Sequence, residues 1–537
     1  MPESNIQDNL LLIISLLFAV SMLTMLSERL RVAYPIFLVI AGLVISFIPG
    51  MPHIALEPDW VFLLFLPPLL YAAAWNTSWK DFWSFRRPIA MLAFGLVFFT
   101  SVTIAYLSNA MIPDFSLVLG FLLGGIISPP DAIAATSVLQ GLKVPRRVVT
   151  ILEGESLVND ASSLIVFRVA LATMITGNFV FWEAGVEFLR VSIMGVIVGL
   201  IFGKLFCMAH KWLPTTPSID TALSFIAPYL MYIGAEHFEY SGVLATVSGG
   251  LYLSFHSQEI FGYNSRMQVT YTWETITFLL NGIVFILIGL QLPETMNGLG
   301  QYSIGSAITY GVVISLVTIF IRILWVFPGT YVPRILSKKV RESEERPNWQ
   351  NVFIVAWSGM RGVVSLASGL AVPLTLTNNI SFPHRNLILF ITFVVILFTL
   401  VLQGLSLPAM LRWLNIEDEG ENIQEQEAAI RLRLATVSLD HMQSSYRDEV
   451  GAIDAFNRLK DRYERMIDNA NNKLLNTEKE TAKADFLPKY RNMLVEIVTV
   501  KRQELQKLKR EKLYSDEVLK AREWELDLEE ARLRDSG

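Results

Sequence analysis

Residues 153–160 read Glu153-Gly154-Glu155-Ser156-Leu157-Val158-Asn159-Asp160, three carboxylates, a hydroxyl and an amide at the head of an apolar run that ends near Met174. Where such a run crosses a bilayer, each acidic group at mid-depth costs about 2.5 to 3.5 kcal/mol, so function is the default explanation for it. On a helix Ser156 and Asp160 are one turn apart on one face, and Glu155 and Asn159 share the adjoining stripe. A hydroxyl beside a carboxylate makes a hard, oxygen-only site that suits an alkali cation and offers nothing to soft metals.

The surrounding chain supplies the bilayer. Of its 537 residues 53% are hydrophobic and only 17% charged, and many windows of about 20 residues lack any charge. Thirteen candidate spans follow, at roughly 9–28, 33–49, 60–76, 88–108, 116–140, 148–176, 183–208, 219–236, 241–256, 272–292, 303–327, 350–373 and 385–411. The expected fold is an all-α polytopic membrane protein with a helical tail. Arg29 and Arg31; Lys80, Arg86 and Arg87; Lys143, Arg146 and Arg147; Lys211; Arg266; and Arg334, Lys338, Lys339, Arg341 and Arg346 fall in alternate connections. Connections such as Met51 to Asp59, Asn109 to Asp114, Glu236 to Tyr240 and Thr375 to His384 are nearly free of Lys and Arg. The positive-inside rule then predicts an N-terminus outside and a C-terminus in the cytoplasm, and the expected location is the plasma membrane. Glu3 and Asp8 replace the basic start of a signal peptide, so the first span is expected to stay.

Two spans cannot be continuous helices. In the fifth, Ser128-Pro129-Pro130-Asp131 removes two backbone donors near mid-membrane. In the twelfth, Gly359-Met360-Arg361-Gly362 sets two glycines around a buried cation. Irregular backbone survives at that depth only where it lines a polar cavity or packs in protein. Seven spans separate the breaks, so the two segments run in opposite directions, as inverted repeats do, and such paired breaks mark a transporter's midplane site. Carbonyl oxygen near Pro130 is a further candidate ligand. Asp131 is expected to offset facing half-helix N-termini or to ligate directly, and Arg361 to offset the C-termini. Arg361 needs a counter-ion, and Glu155 with Asn159 is the predicted partner set. Arg168, further along the sixth span, is expected to meet an acid that sequence does not place, or to snorkel.

Several classes are excluded or disfavoured. One cysteine, Cys207, permits neither an internal disulfide nor a thiolate cluster, and the six histidines show no metal-ligand spacing. No Walker loop, nucleotide-fold motif or nucleophile elbow occurs, which argues against an ATP-driven pump and an intramembrane hydrolase. A cation channel fits the inverted breaks and single site less well than alternating access does.

The chain resembles the monovalent cation:proton antiporter-1 family, the sodium/proton exchangers. The resemblance rests on Phe65-Leu66-Pro67-Pro68-Leu69-Leu70, Pro130-Asp131-Ala132-Ile133-Ala134, Glu153 to Asp160 and Gly359-Met360-Arg361-Gly362, in family order across roughly residues 10 to 412. It implies a transporter without enzymatic activity or cofactor, exchanging sodium or lithium for protons in pH and sodium homeostasis. It also implies a homodimer in lipid, without nucleic-acid partners. In residues 1–412, a core domain (about 88–176 and 303–411) would move against a dimerisation domain (about 9–76 and 183–292). Asp160 would bind cation or proton in alternation, with Ser156, Asp131 and backbone at Pro130 as further Na+ ligands, while Glu155, Asn159 and Arg361 hold the geometry.

Two departures bear on selectivity. The family often has Thr-Asp-Pro where this chain has Pro130-Asp131-Ala132, and several members carry an acid after the third-span prolines where this chain has Tyr71-Ala72-Ala73-Ala74. Potassium/proton or mixed exchange therefore stays open. Asn159-Asp160 resembles the electroneutral members, and one working carboxylate trading one proton for one monovalent cation keeps its charge unchanged. Residues 413–537 turn polar and form the predicted helical cytoplasmic tail, with amphipathic faces such as Leu494, Val495, Ile497, Val498, Leu505, Leu508 and Leu513, and Pro488 interrupting one helix.

Overall fold

The computed structural model describes the chain apart from residues 1–5, 31, 49–60, 140–141, 143, 178–180, 301, 344–345, 377–380, 415, 417–419, 447–453, 475–485, 512–518, 520–521, 523–524 and 531–537. The connection Met51 to Asp59, Lys143 and Leu513 thus lie outside the described residues. Two compact units divide between Asp418 and Glu419. No strand occurs among the described residues, which carry only an isolated bridge between Thr375 and Ser381.

The first unit runs α1 (Ile6–Leu30), α2 (Tyr34–Ser46), α3 (Leu66–Asn76), α4 (Arg86–Met111), α5 (Leu117–Ile127), α6 (Ala132–Leu139) and α7 (Arg146–Thr176). It continues with α8 (Phe181–Trp212), α9 (Pro217–Glu236), α10 (Gly242–Phe255), α11 (Tyr263–Leu290), α12 (Ile304–Leu336), α13 (Trp349–Trp357), α14 (Val363–Leu370) and α15 (Arg385–Leu414). Among the described residues eight segments are long and apolar enough to cross a membrane, α5 with α6 counting as one, and α2, 62–76 and α10 are shorter apolar helices.

Local chemistry sets many boundaries. Pro35 lies in the first turn of α2, where its missing N–H group costs nothing, and Pro67 and Pro68 open α3 directly after a π-helical turn. Ser116, Thr216, Ser241 and Ser303 cap α5, α9, α10 and α12, each hydroxyl accepting a first-turn N–H. Two π-helical turns, Val61–Phe65 before α3 and Met91–Leu96 inside α4, have no counterpart in the sequence pattern. At the second, the Trp325 indole of α12 donates to the Met91 carbonyl at 3.1 Å, which satisfies an acceptor that π geometry releases.

α5 breaks at the expected place and packs closely. A side chain on Gly124 would meet the Ser101 backbone of α4 at 2.7 Å, and one on Gly125 the Phe167 amide of α7 at 2.9 Å. Any larger residue would push α5 off both neighbours and displace the break that follows it.

The second unit holds α16 (Gly420–Ser445), α17 (Asp454–Leu474) and α18 (Phe486–Glu511). Pro488 lies within α18, two residues after its first described position, and the residues before Phe486 lie outside the described ones. Val498 is buried and Leu494, Val495, Leu505 and Leu508 are half-buried, whereas Ile497 points outward. Arg502 fastens α18 to the following helix through Asp527 at 2.5 Å and Glu530 at 2.8 Å.

Candidate functional site

The unwound stretches Ser128–Asp131, between α5 and α6, and Ser358–Gly362, between α13 and α14, meet inside the first unit. The Asp131 N–H donates to the Met360 carbonyl at 2.7 Å, so one backbone hydrogen bond ties the breaks together. The Asp131 carboxylate then serves two helix starts. Its Oδ1 accepts the Ile133 N–H of α6 at 2.8 Å. Its Oδ2 lies so close to Gly362, the residue before α14, that a Cβ there would overlap it. Two positive helix ends thus converge on one anionic group.

α7 passes this crossing with two of its polar residues engaged. The Ser156 hydroxyl accepts the Ala132 N–H at 3.3 Å, and the Asn159 amide donates to the Pro130 carbonyl at 3.1 Å. A carbonyl has two lone pairs, so Pro130 keeps one for another partner. Asp160, 6% exposed, faces a cavity of about 560 Å³ that Asp131, Ser156, Glu153, Tyr34 and Asn281 also line. Leu139, Leu142, Val144 and Asn76 extend its lining to the ends of α6 and α3, where the basic connections begin. Among the described residues the lining includes three acids and no Lys or Arg. Such a wall attracts cations and repels anions.

The ion pair differs from the expected one. Glu155 does not pair with Arg361: its carboxylate grips Arg322 of α12 through two bonds of 2.5 and 2.7 Å, with both side chains 1% exposed. Arg322 Nε and Nη2 also donate to the Val355 carbonyl at 3.2 and 3.1 Å, in the last turn of α13. Arg322 therefore covers the α13 C-terminus, a task the sequence reading gave to Arg361. The physical reason is reach: a guanidinium on continuous α12 can point its fork at Glu155 and Val355 together. Arg361 sits within the break, its backbone N–H bound to the Thr399 hydroxyl at 3.1 Å, and its buried Nε and Nη1 have no hydrogen-bond partner. Arg322 escaped the sequence reading although a signal existed, since it is the single charged residue between Ile304 and Pro333.

Crossed half-helices beside a buried aspartate describe a carrier's midplane, and the comparisons with known proteins decide which carrier. The transmembrane sodium/hydrogen exchanger profile matches residues 13–413. This chain belongs to the sodium/hydrogen exchanger family. It is a multi-pass membrane antiporter and not an enzyme. An uncharacterised Na(+)/H(+) exchanger of Mycobacterium tuberculosis is 31% identical over 545 residues, covering 99% of this chain and 98% of its own. The sodium, potassium, lithium and rubidium/H(+) antiporter of Bacillus subtilis is 32% identical over 70% of this exchanger and 57% of its own length. The sodium proton antiporter MjNhaP1 from Methanocaldococcus jannaschii shares the fold, with a TM-score of 0.60 at 20% identity over 76% of the exchanger and all of that chain.

Proposed function

We propose that this exchanger moves Na+ or Li+ against H+ electroneutrally, with Asp160 holding cation or proton in competition. The observation that carries the reading is the buried Asp160 carboxylate at an acid-lined cavity beside the crossing of two broken helices. Ser156, Asp131 and the free lone pair of the Pro130 carbonyl complete an oxygen-only Na+ site. Glu155 with Arg322 fixes α7 to α12, and Asn159 holds the α5–α6 break in place. Arg361 supports the other break from within.

Exchange follows from desolvation. An empty anionic Asp160 is costly to carry through a low-dielectric seal, so the site crosses only when a proton or a cation neutralises it. A core of residues 88–176 and 303–411 carries the site, and a scaffold of 9–76 and 183–292 forms the homodimer. The cavity lining lies on the half of α7 that follows the basic connection at Arg146, which supports a site open to the cytoplasm with the N-terminus outside and the tail inside. The physiological role is pH and sodium homeostasis at the plasma membrane. The Bacillus subtilis relative, a sodium, potassium, lithium and rubidium/H(+) antiporter, supports a second reading, potassium/proton or mixed exchange.

The test is dye-quench exchange in proteoliposomes challenged with sodium, lithium or potassium. Proton movement driven by the cation should vanish in Asp160→Asn while the variant purifies as a folded protein. Undiminished exchange in that variant would overturn the assignment.

A further inference from the structure

The cavity occupies one half of α7, and the other half is shut. Beside and beyond Asp160, from Leu157 at the cavity's edge through Ala161 to Leu164, the helix presents one apolar stripe, buried against Tyr232 of α9 and Leu244 and Val247 of α10. Arg168 continues that stripe eight residues past Asp160, about 12 Å further along the axis. Its Nη2 donates to Glu236 Oε2, in the last turn of α9, at 2.6 Å. Glu236 is held in place for this contact, because its Oε1 accepts the Gly242 N–H at the start of α10 at 3.0 Å. One carboxylate thus caps a scaffold helix with one oxygen and grips the site-bearing helix with the other.

We propose that Arg168–Glu236 is the outer latch of the exchanger, closed when the site faces the basic-loop side and broken each time it opens to the opposite side. The inference rests on the core-and-scaffold reading above, in which α7 moves against α9 and α10. Placement distinguishes the pair from a decorative surface bridge. It closes the apolar seal at the end remote from the cavity, and it joins the helix bearing Asp160 to the helix pair it slides along. Its half-exposed setting, 43% for Arg168 and 27% for Glu236, keeps it weak enough to break in every cycle.

The experiment uses full-length exchanger in a Cys207→Ser background carrying Arg168→Cys and Glu236→Cys, joined by a short bis-methanethiosulfonate, which forms a disulfide with each thiol as methanesulfinate leaves and whose bridge a reductant cleaves. The expected result is loss of cation-driven proton exchange on crosslinking and its return on reduction in the same proteoliposomes. Retained exchange with the crosslink formed, or no crosslink at all, overturns the latch. Inactivity of the reduced, uncrosslinked protein alongside an inactive parent would instead overturn the exchange reading itself. A second variant asks for the direction. With Leu164→Cys as reporter, Glu236→Gln should raise labelling by an impermeant maleimide from the outer side by about fivefold. Unchanged labelling would contradict the proposal.

Discussion

Replacing Arg322 with methionine removes the partner of a carboxylate that is 1% exposed and leaves the Val355 carbonyl of α13 without its two donors. Breaking one side of a buried ion pair costs about 3 to 5 kcal/mol, because the remaining charge keeps its desolvation cost and loses its compensation. Spread over the roughly 400 residues of the membrane unit at about 2 cal/mol/K per residue, this lowers the unfolding midpoint by about 5 °C. Thermal unfolding of detergent-purified protein, followed by intrinsic tryptophan fluorescence, measures it. The double variant Glu155→Met with Arg322→Met should recover most of the loss, since two apolar side chains of similar volume replace two desolvated charges. Arg361→Met should cost less than Arg322→Met, because Arg361 makes no ion pair in the structure and its variant keeps the backbone bond to Thr399. A midpoint within 1 °C of the parent for Arg322→Met, or a larger loss for Arg361→Met, would refute the assignment of the pair.

Other perturbations read the site more directly. Ser156→Ala removes one oxygen from the proposed cation shell and should raise the half-saturating cation concentration by about tenfold, with Ser156→Thr retaining most of the affinity; concentration series in proteoliposomes check both. Gly362→Ala drives a methyl into Asp131 Oδ2 and should cost about 1 to 3 kcal/mol of stability together with most of the exchange, measured by thermal unfolding and dye quench. Asn159→Ala frees the Pro130 carbonyl and slackens the α5–α6 break; turnover should fall by at least about tenfold while the protein stays folded, as circular dichroism can verify.

The broken helices were legible because their causes are local. Pro129 and Pro130 lack donors, and Gly359 and Gly362 bracket a charge, so residues within five positions announce each interruption. The four-residue spacing of Ser156 and Asp160 was equally readable, since helix geometry alone sets it. The ion pair was not, because Glu155 and Arg322 are far apart in sequence and nothing local to Glu155 separates Arg322 from Arg361 as its partner. Arg168 could be assigned a need for an acid but not Glu236, for the same reason. The π turn at Met91–Leu96 escaped because its stabilising contact comes from Trp325 on another helix.

The central claim is that one carboxylate holds either a proton or a cation. Proton release on cation binding tests it most directly: sodium is titrated into weakly buffered, purified exchanger, with heat and pH recorded together. One proton released per cation bound, and neither heat nor release in Asp160→Asn, is the result this account predicts. Cation binding that releases no proton, or release that persists in Asp160→Asn, would contradict it.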